Sequence, residues 1–208
     1  KGKTIVTGFA RIGGSPVGIV KTSTDIKDGY FCPCAAKKAA HFIRLCDSFS
    51  LPIVTFVDSN GLSVTDACKN DDSVKAIAML TSAYSEATTA KISVITGNAF
   101  GAAYISFVSS ASNPDFVYAW SSSVIGNLEP MTAVQFSYKD RLAAGEERSV
   151  LEEEYKNTVC SPFNAAAKGY INDVIAPEET SSKLISALNV LSSKRVSTLS
   201  KKHSNIPL

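Results

Sequence analysis

The stretch KISVITGNAFGAAY, from Lys91 to Tyr104, decides the fold. The β-branched run Ile92–Ile95 predicts a short buried strand, which we expect Gly97-Asn98 to end. Gly101–Ala103 then predicts the start of a helix made of very small residues. The first turn of a helix has free N–H groups and the positive end of the helix dipole, so a ligand oxygen could approach closely. These residues predict either a turn that stabilises an anion or oxyanion, or close packing of helix against strand.

The composition indicates a globular protein with a substantial core. The chain has 208 residues, of which 45% are hydrophobic. The formal net charge is only +2, so nothing indicates a nucleic-acid partner or a membrane surface. No apolar run approaches the roughly 18–20 residues that cross a bilayer. We therefore expect no nucleic acid and no direct membrane span.

The cysteine content favours a cytoplasmic location. There are five cysteines, an odd number without disulfide-like spacing, which is typical of a reducing compartment. Cys32-Pro33-Cys34 would suit a redox or metal site, but there is no second pair and only His41 and His203 could complete a ligand set. We therefore expect no metal. Since Lys1–Val6 leads directly into a strand pattern, we also expect no signal peptide. The cysteines are Cys32, Cys34, Cys46, Cys68 and Cys160.

Strand and helix patterns alternate after an opening hairpin, which predicts the α/β class with right-handed crossovers. The charge-rich helix 146–158 is expected to be a solvated arm or lid, and the polar segment 62–72 a mobile loop. Besides the central strand, the predicted strands are 3–10, 16–22, 53–57, 116–120 and 171–175. The other predicted helices are 35–49, 73–87, 128–138, 146–158 and 162–169, with a last one beginning at Pro177.

A second turn follows the apolar strand 53–57. Asp58-Ser59-Asn60-Gly61 stands at the carboxyl end of that strand. In open α/β sheets ligands bind at this edge. Asn60 and Gly61 are therefore candidate ligand contacts.

Six segments in order along the chain resemble one protein family. The chain is similar to the C-terminal half of the biotin-dependent acyl-CoA carboxyltransferase subunits, such as the β-subunit of propionyl-CoA carboxylase and the α-subunits of methylmalonyl-CoA and glutaconyl-CoA decarboxylases. The resemblance implies a crotonase (ClpP-like) spiral of ββα units, formed by residues 1–208 as a single domain. The segments are Ile5–Gly14, Leu51–Asp58, Ala83–Thr88, Asn98–Tyr104, Asp115–Trp120 and Lys201–Leu208.

The resemblance assigns roles to the Gly101 turn. It implies that the backbone N–H groups of Ala102 and Ala103, positioned by Gly101, stabilise the oxyanion of the ureido group of carboxybiotin. Family members often have glycine where Ala102 stands, a change that keeps the amide. The residue after Tyr104 helps to set acyl-chain preference in the family. Here it is Ile105, which would favour a short apolar acyl group.

Two loops depart from the family pattern. Ser59–Leu62 replaces a loop that usually begins Pro-Gly-Phe, and Gly126–Met131 replaces the usual Gly-Pro-Glu-Gly segment. Both lie near the biotin side in relatives. The resemblance thus implies Asn60 and Gly61, together with Tyr104 and Ile105 after the turn, as the cofactor-binding residues.

The resemblance also implies cofactors and partners. Biotin would arrive as carboxybiotin on a biotin carrier protein, and the second substrate would be a coenzyme A thioester. The chain corresponds only to the C-half, so its partner would be an N-terminal carboxyltransferase half, either removed from the same gene product or made as a separate polypeptide. The resemblance further implies a trimer-based homo-oligomer, which is the usual assembly in the family. Two oxyanion holes and a dry pocket, rather than a catalytic dyad, would carry the chemistry.

Two other functions fit the same pattern. One is a stand-alone crotonase-type acyl-CoA decarboxylase, hydratase or hydrolase, in which Glu86 or Glu129 would add an acidic group to the oxyanion hole. The other is a non-catalytic assembly subunit, which the altered loops would suit. Acyl-CoA turnover by this chain without biotin would favour the first alternative, and failure to bind biotin beside an N-half the second.

Overall fold

A computed structural model describes residues 2–63 and 72–197. Its strands are β1 (Ile5–Ile12), β2 (Ser15–Thr22), β3 (Tyr30–Phe31), β4 (Ile53–Ser59), β5 (Gly61–Leu62), β6 (Lys91–Phe100), β7 (Phe116–Trp120), β8 (Val124–Gly126) and β9 (Asp173–Ile175). Its helices are α1 (Pro33–Ser48), α2 (Asp72–Glu86), α3 (Ala102–Phe107), α4 (Pro130–Ser137), α5 (Lys139–Ala143), α6 (Arg148–Thr158), α7 (Pro162–Ala167) and α8 (Thr180–Leu191).

A mostly parallel sheet forms the centre of the fold. Its order is β1-β2-β4-β6-β7-β9, with β8 paired to β6 beyond the end of β7. Only the hairpin pair β1–β2 is antiparallel among the described strands of this sheet. A separate parallel pair joins β3 to β5. The predicted α/β class and opening hairpin are confirmed.

The two faces of the sheet are covered by different helices. In β4, Ile53 and Val57 pack into the cluster that contains the alanine-rich face of α1, whereas Val54 packs with Leu184 of α8. Alternate residues of a strand point to opposite faces, so this continuous apolar run is buried on both sides. The helix α1 begins at Pro33, earlier than predicted, because proline is well suited to the first helical position.

The central strand differs from its prediction. Gly97-Asn98 does not end β6, which continues to Phe100 and exchanges β7 for β8 as its neighbour. The Asp58 carboxylate explains the continuation, since its Oδ1 accepts the N–H of Asn98 at 2.9 Å. A Cβ on Gly97 would lie 2.3 Å from the same oxygen. Gly97 therefore leaves room for the Asp58 carboxylate and does not end the strand.

The helix α6 is largely exposed, as predicted, but it is not a free arm. Leu151 is 0% exposed, and Tyr155 meets Tyr138, the residue between α4 and α5, edge to face. Arg141 of α5 forms ion pairs with Glu146 and Glu154. The predicted helix 128–138 corresponds to α4, and the short helix α5, which was not predicted, follows it.

Several expectations concern thiols, metal ligands and membrane spans. Cys32, Cys34, Cys46 and Cys160 are free thiols, and no group of potential ligands in residues 2–63 and 72–197 could hold a metal ion. None of the described helices is both long and apolar enough to cross a membrane. Most of the predicted loop 62–72, with Cys68, and the whole segment Lys201–Leu208, with His203, lie outside the described residues.

Candidate functional site

Three strands end at one place on the carboxyl edge of the sheet. β4 leads into Asn60, β6 ends at Phe100 before Gly101, and β8 ends at Gly126. The N–H of Gly101 donates to the carbonyl of Gly126 at 3.3 Å. A Cβ on Gly61 would lie 3.3 Å from the carbonyl oxygen of Phe100 and 3.8 Å from the nitrogen of Ala102. The structure therefore brings together the two turns that the sequence predicted separately.

The turn at Gly101 leaves backbone N–H groups without an acceptor among the described residues. Gly101 has φ +50° and ψ −120°, a conformation that L side chains rarely adopt. The first bond of the helix α3 runs from the N–H of Ile105 to the carbonyl of Gly101. Within the described ranges, no backbone carbonyl accepts the N–H of Ala102 or Ala103. Two adjacent amides therefore lack a described acceptor, the one at the half-buried Ala102 and the one at Ala103, which is 0% exposed in this chain.

The Asn60 side chain holds the second turn in place. Its Oδ1 accepts a hydrogen bond from the Asn98 side chain at 2.8 Å, and its Nδ2 donates to the carbonyl of Asp28 at 2.9 Å. Its backbone N–H donates to the carbonyl of Gly29. This network ties the loop before β3 to β6 and leaves Gly61 beside the amides of α3.

Tyr104 and Ile105 follow the Gly101 turn in the helix α3. Tyr104 is half-buried and lines two adjoining pockets of about 200 and 540 Å³, which it shares with Asn127 and Tyr170. Burial raises the pKa of Tyr104, so its hydroxyl stays protonated at neutral pH. Ile105 is 46% exposed on the surface of α3. Of the predicted site residues, Gly61 and Gly101–Ala103 therefore lie together, whereas Tyr104 and Ile105 face neighbouring regions.

The two candidate acids lie in different surroundings. Glu86 ends α2, which connects to the amino end of β6. Gly101 instead follows the opposite, carboxyl end of that strand. Glu129 stands at the beginning of α4 near the turn, where its Oε1 accepts a hydrogen bond from the Tyr30 hydroxyl. This bond, together with partial burial, raises the pKa of Tyr30 to about 12.

Sequence reasoning missed the residues that support the turns. Asp58 accepts hydrogen bonds from the N–H of Asn98 and from the Thr24 hydroxyl at 2.8 Å, and Tyr30 binds Glu129. Gly97 was a usable signal, because glycine inside a strand often marks the close approach of another group.

The family follows from a match along almost the whole chain. Residues 1–206 match the model of the carboxyl transferase domain. The chain belongs to the carboxyl transferase family. The resemblance drawn from its six sequence segments is confirmed.

Relatives of this carboxyl transferase chain agree with that assignment. The carboxyltransferase subunit of propionyl-CoA carboxylase from Haloferax mediterranei is 40% identical over 99% of this chain and 41% of the relative. The α-subunit of methylmalonyl-CoA decarboxylase from Veillonella parvula is 37% identical over 98% of this chain and 39% of the relative. The chain thus spans about two fifths of the length of these relatives.

A solved structure supports the carboxyl transferase fold. The hexameric transcarboxylase 12S, with methylmalonyl-coenzyme A and methylmalonic acid bound, superposes with a TM-score of 0.91 at 36% identity. The superposition covers 99% of this chain and 40% of that one. The expected crotonase-like fold is confirmed.

Proposed function

We propose that this chain is the biotin-side half of an acyl-CoA carboxyltransferase or decarboxylase, which moves a carboxyl group between biotin and a short-chain acyl-CoA. One observation carries the proposal. The N–H groups of Ala102 and Ala103, which no described residue accepts, lie where three strands end, in a chain of the carboxyl transferase family. Gly101 gives the turn its conformation, and Gly61 keeps the space in front of Ala102 open, which a Cβ would fill.

These residues would act by stabilising negative charge. Carboxybiotin bound here would supply the carboxyl group and, after its loss, an acceptor for the α-proton of the acyl-CoA. The amides of Ala102 and Ala103 would donate hydrogen bonds to the ureido oxygen, where charge develops. No side chain of this chain then needs to act as a base, which suits a site whose described residues include no histidine. In other enzymes, loss of one such hydrogen-bond donor costs about 3–4 kcal/mol of transition-state stabilisation.

The other predicted residues would surround this turn. Asn60 would hold Gly61 at the biotin side through its bonds to Asn98 and Asp28. Tyr104 would form the wall toward the adjoining pockets. Ile105, exposed and apolar, would contact the acyl group at the interface with a partner and favour a short chain.

The partners that we propose follow from the relatives. These are an N-terminal carboxyltransferase half, a biotin carrier protein and an acyl-CoA, within a trimer-based oligomer in the cytoplasm. Transcarboxylase 12S is hexameric and binds methylmalonyl-coenzyme A, which supports both the assembly and the substrate class. Residues 1–208 would form one domain of this assembly.

Neither alternative function gains support from the site. A stand-alone acyl-CoA enzyme would use Glu86 or Glu129 beside the oxyanion hole. Glu86 lies toward the opposite edge of the sheet, and the Glu129 carboxylate is hydrogen-bonded to Tyr30. No described contact favours a purely structural subunit.

Ala103→Pro tests the proposal, because proline removes one N–H and is tolerated in the first turn of a helix. Reconstituted with a cognate N-terminal half, this variant should transfer carboxyl groups to free biotin about 100-fold more slowly or worse. Ala102→Gly keeps the amide and should remain active. Ser149→Pro, in the exposed first turn of α6, controls for the proline itself. Unchanged transfer by Ala103→Pro would refute the assignment.

A further inference from the structure

The hydrogen bond between Tyr30 and Glu129 joins two segments that flank the Gly101 turn. One is the strand pair β3–β5, and the other is the loop 126–129 before α4. Tyr30 lies in β3 directly opposite Gly61 of β5 in the parallel register. Glu129 is the residue before Pro130, the first residue of α4. The Tyr30 hydroxyl donates to the Glu129 carboxylate. The two segments are therefore joined by a charge-assisted hydrogen bond.

These contacts form a closed ring around the helix start. Gly61 lies beside the nitrogen of Ala102, and Gly101 donates to the carbonyl of Gly126 at 3.3 Å. Glu129 follows Gly126 by three residues along the chain. Glu129 is hydrogen-bonded to Tyr30, and Tyr30 pairs with Gly61 in the β3–β5 ladder, which closes the ring. The Gly101–Gly126 bond is long for an N–H···O contact. Its geometry should therefore respond to any movement of the segment 126–129.

The ring gives Glu129 a different role from that of an acid. Its carboxylate already accepts a hydrogen bond from the Tyr30 hydroxyl. The Glu129 side chain does not cap the start of α4. The pKa of Tyr30, raised to about 12, keeps the hydroxyl protonated and able to donate at neutral pH. Both facts suit a persistent fastening rather than a proton transfer.

We propose that Tyr30 and Glu129 are a positioning pair that holds the segment Gly126–Asn127 against Gly101 and so sets the direction of the Ala102 and Ala103 amides. The catalytic consequence rests on the proposed function of the turn. The structural consequence does not, and it is measurable on the chain alone.

Hydrogen exchange of the Gly101 amide tests the structural consequence. In Tyr30→Phe and Glu129→Ala this amide should exchange about 10-fold faster, as expected for loss of a hydrogen bond that restrains its partner. Glu129→Gln keeps an acceptor for the Tyr30 hydroxyl and should lie between Glu129→Ala and the parent chain. The double variant Tyr30→Phe/Glu129→Ala should exchange no faster than either single variant.

Matched controls separate this effect from general loosening. Tyr138→Phe removes a hydroxyl elsewhere, and Glu153→Gln removes a carboxylate from the exposed side of α6. Both should leave Gly101 exchange unchanged. Unaltered exchange in Tyr30→Phe, or an equal increase in the controls, would overturn the proposal.

Carboxyl transfer to free biotin beside the N-terminal half tests the catalytic consequence. Tyr30→Phe and Glu129→Ala should lower kcat about 10-fold while KM for biotin changes less than 2-fold, with partial recovery in Glu129→Gln. Faster exchange with unchanged kcat would overturn the catalytic role. If the parent chain transferred nothing, the proposed function would fail, while the exchange result would still decide the positioning role.

Discussion

At Gly97 the strand β6 has no side chain because the Asp58 carboxylate occupies that space. A Cβ would lie 2.3 Å from Asp58 Oδ1 and 2.6 Å from its Cγ. We expect Gly97→Ala to push this carboxylate off the Asn98 N–H and the Thr24 hydroxyl. Overpacking together with lost hydrogen bonds should lower the free energy of unfolding by about 2–3 kcal/mol, measured by urea denaturation.

Gly8→Ala is the matched control for this substitution. Gly8 also lies in a strand, but a Cβ there has nothing within 4 Å. Its replacement should change the free energy of unfolding by less than about 0.5 kcal/mol. Equal effects at the two positions would contradict the role given to Asp58.

The Gly101 turn shows what a local sequence pattern can predict. Glycine followed by two alanines indicated a helix start, and α3 does begin at Ala102, directly after Gly101 with its positive φ. The contacts of Asp58 and Glu129 were not predictable in this way. Each depends on a residue at least 40 positions away, Asn98 for Asp58 and Tyr30 for Glu129. Local patterns contain no information on such pairs.

At the scale of elements, α6 is stabilised by one buried leucine. Leu151 is 0% exposed, while its neighbour Val150 is 56% exposed. We expect Leu151→Ala to lower the free energy of unfolding by about 2–4 kcal/mol, because it opens a cavity between α6 and the helices beneath it. Urea denaturation measures the change.

The adjacent valine provides the control for α6. Val150→Ala should cost less than about 1 kcal/mol, since it removes little buried surface. A cost below about 0.5 kcal/mol for Leu151→Ala would instead support the solvated arm that the charge pattern predicted.

Long elements were predictable from periodicity, whereas very short ones were not. The apolar spacing of α1 and the continuous run of β4 were sufficient to place both. β3, β5 and β8 contain two or three residues each, and their existence depends on pairing with distant strands. The same cause explains why β6 was expected to end at Gly97-Asn98: its continuation is stabilised by β8 and Asp58.

At the scale of the whole molecule, the site is an edge where three strands of the sheet end. The expectation of a ligand site there came from the general behaviour of α/β sheets, and the structure places both predicted turns at that edge. The chain spans about two fifths of the length of its relatives, so we propose that a second half completes the site above this edge.

A crystal structure of this chain with an N-terminal half and biotin tests the central claim most directly. The ureido oxygen of biotin should lie about 2.7–3.1 Å from the backbone nitrogens of both Ala102 and Ala103. Biotin bound away from Gly101, or these two amides donating to protein acceptors instead, would contradict the account.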